Sequence, residues 1–146
     1  MFKVSTALRN AMLATGSFKS IMDGGFLKLY SGAVPASADD ALGAAVLLVT
    51  ISVSAGGTGL TFEATATNGI LSKATAETWQ GVNAASGTAT FFRFAPSADT
   101  GVSSTTEPRV QGNVGVIGSD LNLSNTSLTA SAIQTINHFN VALPTL

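Results

Sequence analysis

The residue types that commonly carry out chemistry are scarce in this 146-residue chain. It has one histidine, His138, and no cysteine, which excludes disulfides, thiol catalysis and cysteine-based metal sites. A zinc site would need His138 together with several carboxylates, which is an uncommon ligand set. A Ser-His-Asp triad is formally possible because serine is abundant, but the Gly-x-Ser-x-Gly pattern of a nucleophile is missing. A histidine on the polar face of a strand is typically structural, so we predict that the protein is not an enzyme.

Two further patterns resemble ligand sites but are better explained as turns. Asp39 and Asp40 are adjacent, yet calcium takes about six to eight oxygens from several places, and the Asp-x-Asp-x-Asp-Gly pattern is missing. A loop that caps a helix with an aspartate fits this pair better. Residues 56–59 read Gly-Gly-Thr-Gly, but they lead into an alternating, strand-like stretch without the lysine of a phosphate loop. We therefore predict no metal and no cofactor.

The composition is typical of a surface that makes large contacts with other proteins. Charged residues make up 10% of the chain, against about 25% in ordinary globular domains, and the mean hydropathy is +0.38. Serine and threonine, 34 in total, must supply much of the polar surface. Such a surface loses little side-chain entropy and little hydration when another protein covers it. A secreted β-domain with a Ser/Thr-rich face is the alternative.

Nucleic acid and membranes are not expected partners. The net charge of −1 creates no long-range field that would collect nucleic acid. The first ten residues lack the apolar core of a signal peptide. The most apolar stretch, 41–55, is shorter than the roughly 20 residues that a membrane helix needs, and its Val, Ile and Thr content favours a buried strand.

The elements that would position any site are organised around residues 88–95, which read Thr-Ala-Thr-Phe-Phe-Arg-Phe-Ala. Side chains alternate between the two faces of a strand, so Phe92 and Phe94 share one face while Phe91 and Arg93 share the other. A strand with aromatic residues on both faces is usually covered on both, which predicts a central strand of a layered all-β domain. We expect the stem of Arg93 to pack while its head reaches water or a carboxylate; a contact with a partner subunit is the alternative.

The chain begins with a helical pattern. Ser5 is a plausible N-cap for a helix that ends near Leu13, and Ser17 can cap a second turn that ends at Met22. We therefore predict that residues 1–25 form an N-terminal helical segment or arm.

The remainder, 26–146, is predicted to be a single β-domain. It contains eight to ten short strand patterns separated by turn signals, by our count from the sequence, which is typical of a β-sandwich, jelly roll or small barrel. Asn68-Gly69 predicts a tight hairpin turn, and Trp79 is expected in the core. The polar segment 96–108 is predicted to be an exposed functional or disordered loop, and 133–143 to be the final strand.

Five segments together resemble the capsid decoration, or cement, proteins of tailed bacteriophages. They read VSTALRN at 4–10, DGGFLKLYSG at 23–32, GLTFEA at 59–64, GTATFFRF at 87–94 and DLNL at 120–123. The resemblance implies a jelly-roll-like β-sandwich that sits on the outer surface of an assembled virion capsid. It further implies that the protein bridges neighbouring subunits of the major capsid protein and associates with itself there as a homo-oligomer. No catalytic residues are carried over from this family.

The N-terminal segment is the expected partner interface. Residues 1–30 contain four basic side chains and one acidic one, a net charge of +3, whereas the rest of the chain carries −4. A basic segment can dock on an acidic partner surface, and a solvated face is the alternative. We expect exposed aromatic rings beside these charges. The predicted interface residues are Phe2, Lys3, Arg9, Phe18 and Lys19.

Three other functions stay open at this point. The protein could be a tail, head–tail connector or fibre component of a phage. It could be a carbohydrate- or receptor-binding β-sandwich, in which an exposed Trp79 or Tyr30 would stack on a sugar ring. A hydrolase is the least supported reading, because His138 would be its sole evident base.

Overall fold

The computed structural model describes residues 1–142 and is built mainly from antiparallel β-structure. The helices are α1 (Thr6–Ala14) and α2 (Phe18–Met22). The strands are β1 (Lys3–Val4), β2 (Phe26–Ser31), β3 (Val46–Val53), β4 (Ile70–Ser72), β5 (Trp79–Val82), β6 (Gly87–Thr88), β7 (Phe91–Ala95), β8 (Val110–Gly115), β9 (Leu121–Asn122), β10 (Ser127–Leu128), β11 (Ile133–Ile136) and β12 (Asn140–Ala142). These bounds confirm the predicted all-β class with a short N-terminal helical segment, while the jelly-roll arrangement stays a prediction.

One large sheet contains most of the strands. Its order is β1-β8-β7-β2-β3-β5-β11, with β9 attached in parallel to β8. Two small sheets, β10 with β6 and β12 with β4, contain the remaining strands, and isolated bridges such as Gly25 with Leu60 add further pairing. Residues 143–146, which belong to the predicted domain 26–146, lie outside the described part of the chain.

The aromatic strand β7 lies inside the large sheet, between β2 and β8. Phe92 and Phe94 point to one face, Phe91 and Arg93 to the other, and all four side chains are buried. Both faces of this strand are therefore covered, as its aromatic pattern predicts.

The hydrophobic core lies on the face of the sheet that carries Phe92 and Phe94. Four rings, those of Phe62, Trp79, Phe94 and Phe139, pack against one another with centroids 5.6–6.2 Å apart. Trp79 is fully buried among them, which confirms its predicted place in the core. Aromatic side chains bury about 150–250 Å² each, so these rings contribute much of the area that the core removes from water.

The two helices cover this core. Ser5 accepts a hydrogen bond from the amide of Leu8 at 3.2 Å and Ser17 accepts one from Ser20 at 3.1 Å, so both predicted N-caps are confirmed. Leu8 and Met22 are fully buried in the same core cluster as the sheet. The helices thus contribute to the core of the β-structure.

Two turns have the backbone geometry that their residues predict. Asn68 and Gly69 have φ values of +52° and +75°, and Thr67 and Ile70 exchange backbone hydrogen bonds of 2.9 and 3.0 Å across them. The glycine-rich stretch 56–59 likewise turns the chain back on itself after β3, since the amide of Val53 donates to the carbonyl of Thr58 at 2.9 Å.

The predicted final strand, 133–143, is wrong as a continuous element. β11 lies at one end of the large sheet, whereas β12 pairs with β4 in a separate small sheet. Between them the chain leaves the strand path and places Phe139 in the core, where its ring meets Phe92 edge-on at 5.6 Å. Burial of this ring explains the break, because side chains alternate along a strand and a straight continuation of β11 would place Phe139 on the exposed face with Ile133 and Thr135.

Candidate partner-contact surface

The five predicted interface residues lie on two parts of the surface. Phe2 borders a cleft that also contains Val141, and Phe18 borders a larger groove that contains Val141 as well. Lys3 and Arg9 are instead tied to the loop that follows β2. The structure therefore brings the two aromatic residues to neighbouring clefts and directs these two basic residues elsewhere.

The larger cleft is an apolar groove of about 420 Å³ beside α2. Phe18 is half-buried at its edge, with its ring edge-on against Phe62 at 5.5 Å. Lys19 lies next to it and donates to the carbonyl of Phe62 at 2.9 Å while it pairs with the carboxylate of Asp23. The apolar groove is lined mainly by Met12, Phe18, Ala64, Ala66, Leu71 and Val141. Its apolar lining is suited to covering by protein.

Lys3 is engaged within the chain. Its amino group donates to the carbonyls of Pro35 at 3.2 Å and Ala36 at 2.9 Å, so its charge fastens the loop after β2. Lys19 is likewise paired with Asp23, and its charge is balanced locally. Arg9 remains exposed at the surface. The net charge of +3 is consequently less available to a partner than the sequence suggests.

Asp39 connects that loop to the first helix. Its carboxylate accepts from the amide of Thr6 at 2.9 Å and from the hydroxyl of Thr6 at 2.6 Å, and Arg9 donates to the same hydroxyl at 3.0 Å. The pair Asp39-Asp40 thus includes a helix-capping aspartate, as predicted. Burial pushes the pKa of Asp39 upward, but the bonds from Thr6 and the nearby guanidinium of Arg9 outweigh it and hold the pKa below its ordinary value.

We predict that Asp39 contributes to the acid stability of the protein. Because its pKa is lowered by folding, its contribution is present above the unfolded-state pKa of about 4 and is lost as the pH falls through the folded-state value. In urea unfolding from pH 7 to pH 2.5, the deficit of Asp39→Asn against wild type should shrink below about pH 4. Thr6→Val should weaken the same pH dependence. Parallel curves for Asp39→Asn and wild type would contradict the prediction.

The opposite face of β7 carries a polar layer that sequence reasoning missed. Its members are Arg93, Asp99, Arg109 and Gln111, and all four are buried. Arg109 and Gln111 alternate with Val110 along β8 and its preceding residue, and this alternation is the signal that could have placed them on one face. The polar layer holds two loops over the sheet, since Gln111 donates to the carbonyl of Pro35 at 2.9 Å and Arg109 to that of Val102 at 2.8 Å.

The expected position of the Arg93 head is wrong. The side chain is 1% exposed, and its Nη2 donates to the carbonyl of Asp40 at 3.0 Å and to Oε1 of Gln111 at 2.7 Å. Its Nε and Nη1 find no hydrogen-bond partner among residues 1–142. Burial, followed by the neighbouring Arg109, lowers the pKa of Arg93. The guanidinium group is shielded from solvent because loops close over this face of the sheet. Strand periodicity does not reveal such a cover.

The predicted loop 96–108 is largely exposed, as expected, but Asp99 and Gly101 within it are buried. Asp99 is buried and its Oδ1 accepts from Nε of Arg109 at 3.0 Å and from Nη2 of the same guanidinium. Gly101 donates its amide to the same carboxylate oxygen at 3.1 Å. Val102 and the residues near it are exposed. A buried ion pair therefore anchors this loop, although the segment contains little apolar material.

The aromatic residues that would suit sugar stacking are inside the protein. The Tyr30 ring stacks on Phe91 at 5.1 Å, and burial raises the pKa of its hydroxyl to about 12. Trp79 is covered on all sides, and its Nε1 donates to Glu77 at 2.8 Å. Neither ring offers a face to a ligand. This argues against the carbohydrate-binding alternative, because that alternative requires Trp79 or Tyr30 to be exposed.

The single histidine, His138, shares a surface cleft with an aspartate. His138 is exposed in a polar cleft of about 380 Å³ that also contains Asp120. Burial raises the pKa of Asp120, but hydrogen bonds from the N-terminal ammonium and from Asn113 prevail and lower it. Within the described residues, no three His, Cys, Asp or Glu side chains are grouped closely enough to hold a metal ion.

None of the helices in this part of the chain is long and apolar enough to cross a membrane.

Several large apolar side chains are instead fully open at the surface. Ile117, at the tip between β8 and β9, is 89% exposed, and Leu13 on α1 is similarly open. Ile133 on β11 and Val82 on β5 are also exposed.

No family model, curated protein or solved structure matches this chain.

Proposed function

We propose that this protein is a structural virion protein that binds the outer surface of an assembled phage capsid and stabilises it by bridging major capsid protein subunits. The observation that carries the proposal is the surface: charged residues make up 10% of the chain, and large apolar side chains of the N-terminal segment, Phe2 and Leu13, are exposed. Covering such a surface with protein costs little desolvation of charge and removes apolar area from water. The resemblance of the five segments to decoration proteins supports the same reading.

The stabilisation would follow from mass action. A protein that binds the assembled shell more tightly than the free subunits shifts the equilibrium toward the intact particle. Each contact can be modest, because a symmetric lattice presents many copies of the site and association between bound copies adds avidity. This mechanism needs binding surfaces and no reaction centre, no cofactor and no nucleic acid or membrane contact.

The N-terminal segment is the proposed capsid contact. Phe2 is 37% exposed at the cleft next to the apolar groove, and Phe18 and Lys19 border that groove directly. Arg9 adds an exposed positive charge, while Lys3 shapes the neighbouring loop. An acidic capsid surface with an apolar residue for the groove would complement this arrangement.

The decisive test is co-sedimentation of the full chain with bare capsids and, separately, with purified tails. We expect saturable binding near one copy per capsid subunit and a raised melting temperature of the shell. Binding to tails alone would favour a tail, connector or fibre protein, and binding to neither would overturn the proposal. Because the proposed location is the outer capsid surface, protein that is added after the shell has assembled should also bind.

Point variants locate the contact better than a deletion, because removing residues 1–20 would also remove the buried Leu8. The double variant Phe2→Ser with Arg9→Gln should weaken capsid binding about tenfold or more, since it removes exposed apolar area and a positive charge. Ile117→Ser is the matched control, because it removes a more exposed apolar side chain elsewhere. Equal binding by the double variant and wild type would place the contact outside this segment.

A further inference from the structure

The two ends of the large sheet differ in how they are protected. At one end β1 has two residues, and Lys3 within it fastens a loop through Pro35 and Ala36. At the other end β11 has four residues, and β5 is its one pairing partner within residues 1–142. An unpaired edge strand can pair with a strand of another chain, so this end of the sheet is a candidate site of association.

The backbone of β11 presents hydrogen-bonding groups on its open side. The carbonyl of Ala132 accepts from the amide of Asn83 at 2.8 Å, which directs Ala132 toward the neighbouring strand. Backbone groups alternate along an antiparallel strand, and the register from Ile133 to Ile136 has no bulge. The amides and carbonyls of Ile133 and Thr135 therefore point away from β5. Within the described chain, the Thr135 carbonyl accepts from a side chain next to it, that of Gln134, at 3.0 Å.

The side chains at this edge do not discourage pairing. Ile133 and Val82 are directly opposite each other and are 63% and 54% exposed, so they form an apolar pair on the outer face. In natural proteins, charged residues, proline or a bulge usually prevent an edge strand from pairing with another chain. The stretch 127–137 contains no charged residue and no proline, and neither does β5. An irregularity at Ser131 and Ala132, which both bond to Asn83, lies before β11 and leaves its four residues regular.

We propose that β11 is the surface through which two copies of this chain associate, by antiparallel pairing of β11 with itself. A strand that pairs with its own copy in this way forms an isologous, two-fold contact. If the two-fold axis passes through Gln134, Ile133 of one copy lies opposite Thr135 of the other. This pairing occurs once on each side of the axis, and each time it joins residues whose backbone amides and carbonyls point outward. The large sheet then continues across both copies, and the absence of charge at the edge removes like-charge repulsion.

This inference rests on the self-association within the proposed function and names the surface for it. A second copy is the occupant that fits, because the length, outward groups and uncharged side chains of the edge are complementary to themselves. A lysine-lined or acidic strand from another protein would find no opposite charge there. On a capsid, the high local concentration of bound copies would favour even a weak pairing of this kind.

Analytical ultracentrifugation of the full chain, without capsids, tests the proposal between about 1 and about 200 µM. Wild type should form a dimer within this range. Ile133→Lys puts two positive charges near the axis, and Thr135→Pro removes an outward amide while every bond to β5 remains. Each should raise the dissociation constant at least about tenfold. Ile117→Lys is the matched control and should leave it unchanged, with circular dichroism and Trp79 fluorescence reporting the fold.

Two results would overturn the proposal: a monomer throughout the concentration range, or a dimer that Ile133→Lys and Thr135→Pro leave intact. Failure of the proposed function is separable from either result. If wild type dimerises through β11 but does not bind capsids, the capsid role fails and the dimer stands. If monomeric wild type still saturates capsids, the pairing of β11 fails and the capsid role stands.

Discussion

Arg109→Met is expected to lower the free energy of unfolding by about 3–5 kcal/mol, whereas Arg93→Met should change it by about 1 kcal/mol or less in either direction. Both guanidinium groups are buried in the polar layer, but their partners differ. Removal of Arg109 leaves the carboxylate of Asp99 buried without its ion pair. Removal of Arg93 takes away a buried charge of which two nitrogens have no hydrogen-bond partner among residues 1–142, and this offsets the donors lost to Asp40 and Gln111.

Urea unfolding followed by Trp79 fluorescence measures both variants in the same way. The combination of Arg109→Met with Asp99→Leu serves as the control, because replacing both partners by apolar side chains should recover most of the lost stability. Equal losses from Arg93→Met and Arg109→Met would contradict this account, since they would mean that the ion pair with Asp99 contributes no more than ordinary packing.

Phe139→Ala is expected to have an effect of similar size, a loss of about 3–5 kcal/mol. The ring lies between β11 and β12 and contacts those of Phe62, Trp79, Phe92 and Phe94 at centroid distances of 5.6–6.2 Å. Its removal leaves a cavity that four other aromatic rings cannot fill without leaving their rotamers.

The emission of Trp79 offers a second measurement for this variant, because water admitted to the cavity should shift it to longer wavelength. Phe139→Leu, which fills most of the volume, should cost about 1–2 kcal/mol. Ile117→Ala is the exposed control and should stay within about 0.5 kcal/mol of wild type. An undiminished stability of Phe139→Ala would mean that the break between β11 and β12 has another cause.

Local features of the fold were predictable because each depends on a few adjacent residues. Ser5 and Ser17 cap helices through hydroxyl groups that lie within one turn of their targets. Asn68-Gly69 forms a hairpin turn because both residues tolerate positive φ. The alternation around Phe92 and its neighbours identified a strand that is covered on both faces.

The errors concern contacts between residues far apart in the chain. The head of Arg93 is dry because the loops after β2 and β7 close over it, and these loops are held by Asp99 and Gln111. Asp99 looked like an ordinary residue of a polar loop, since its partner Arg109 follows ten positions later without any recognisable spacing. The partner interface stays a prediction, although the bond from Lys3 to the carbonyl of Ala36, 33 positions away, is another contact that the charge count could not reveal.

The class of the fold, its aromatic strand, its turns and caps, and a surface poor in charge could all be predicted from the amino-acid sequence. These follow from side-chain alternation, backbone preference and composition, all of which act locally or additively. The strand order, the burial of Arg93 and Arg109, the entry of Phe139 into the core and the position of β11 at an edge of the large sheet emerge only from the tertiary structure of residues 1–142. These depend on which distant segments pack together, and that is set by the total burial of apolar and polar groups across the molecule rather than by any short pattern.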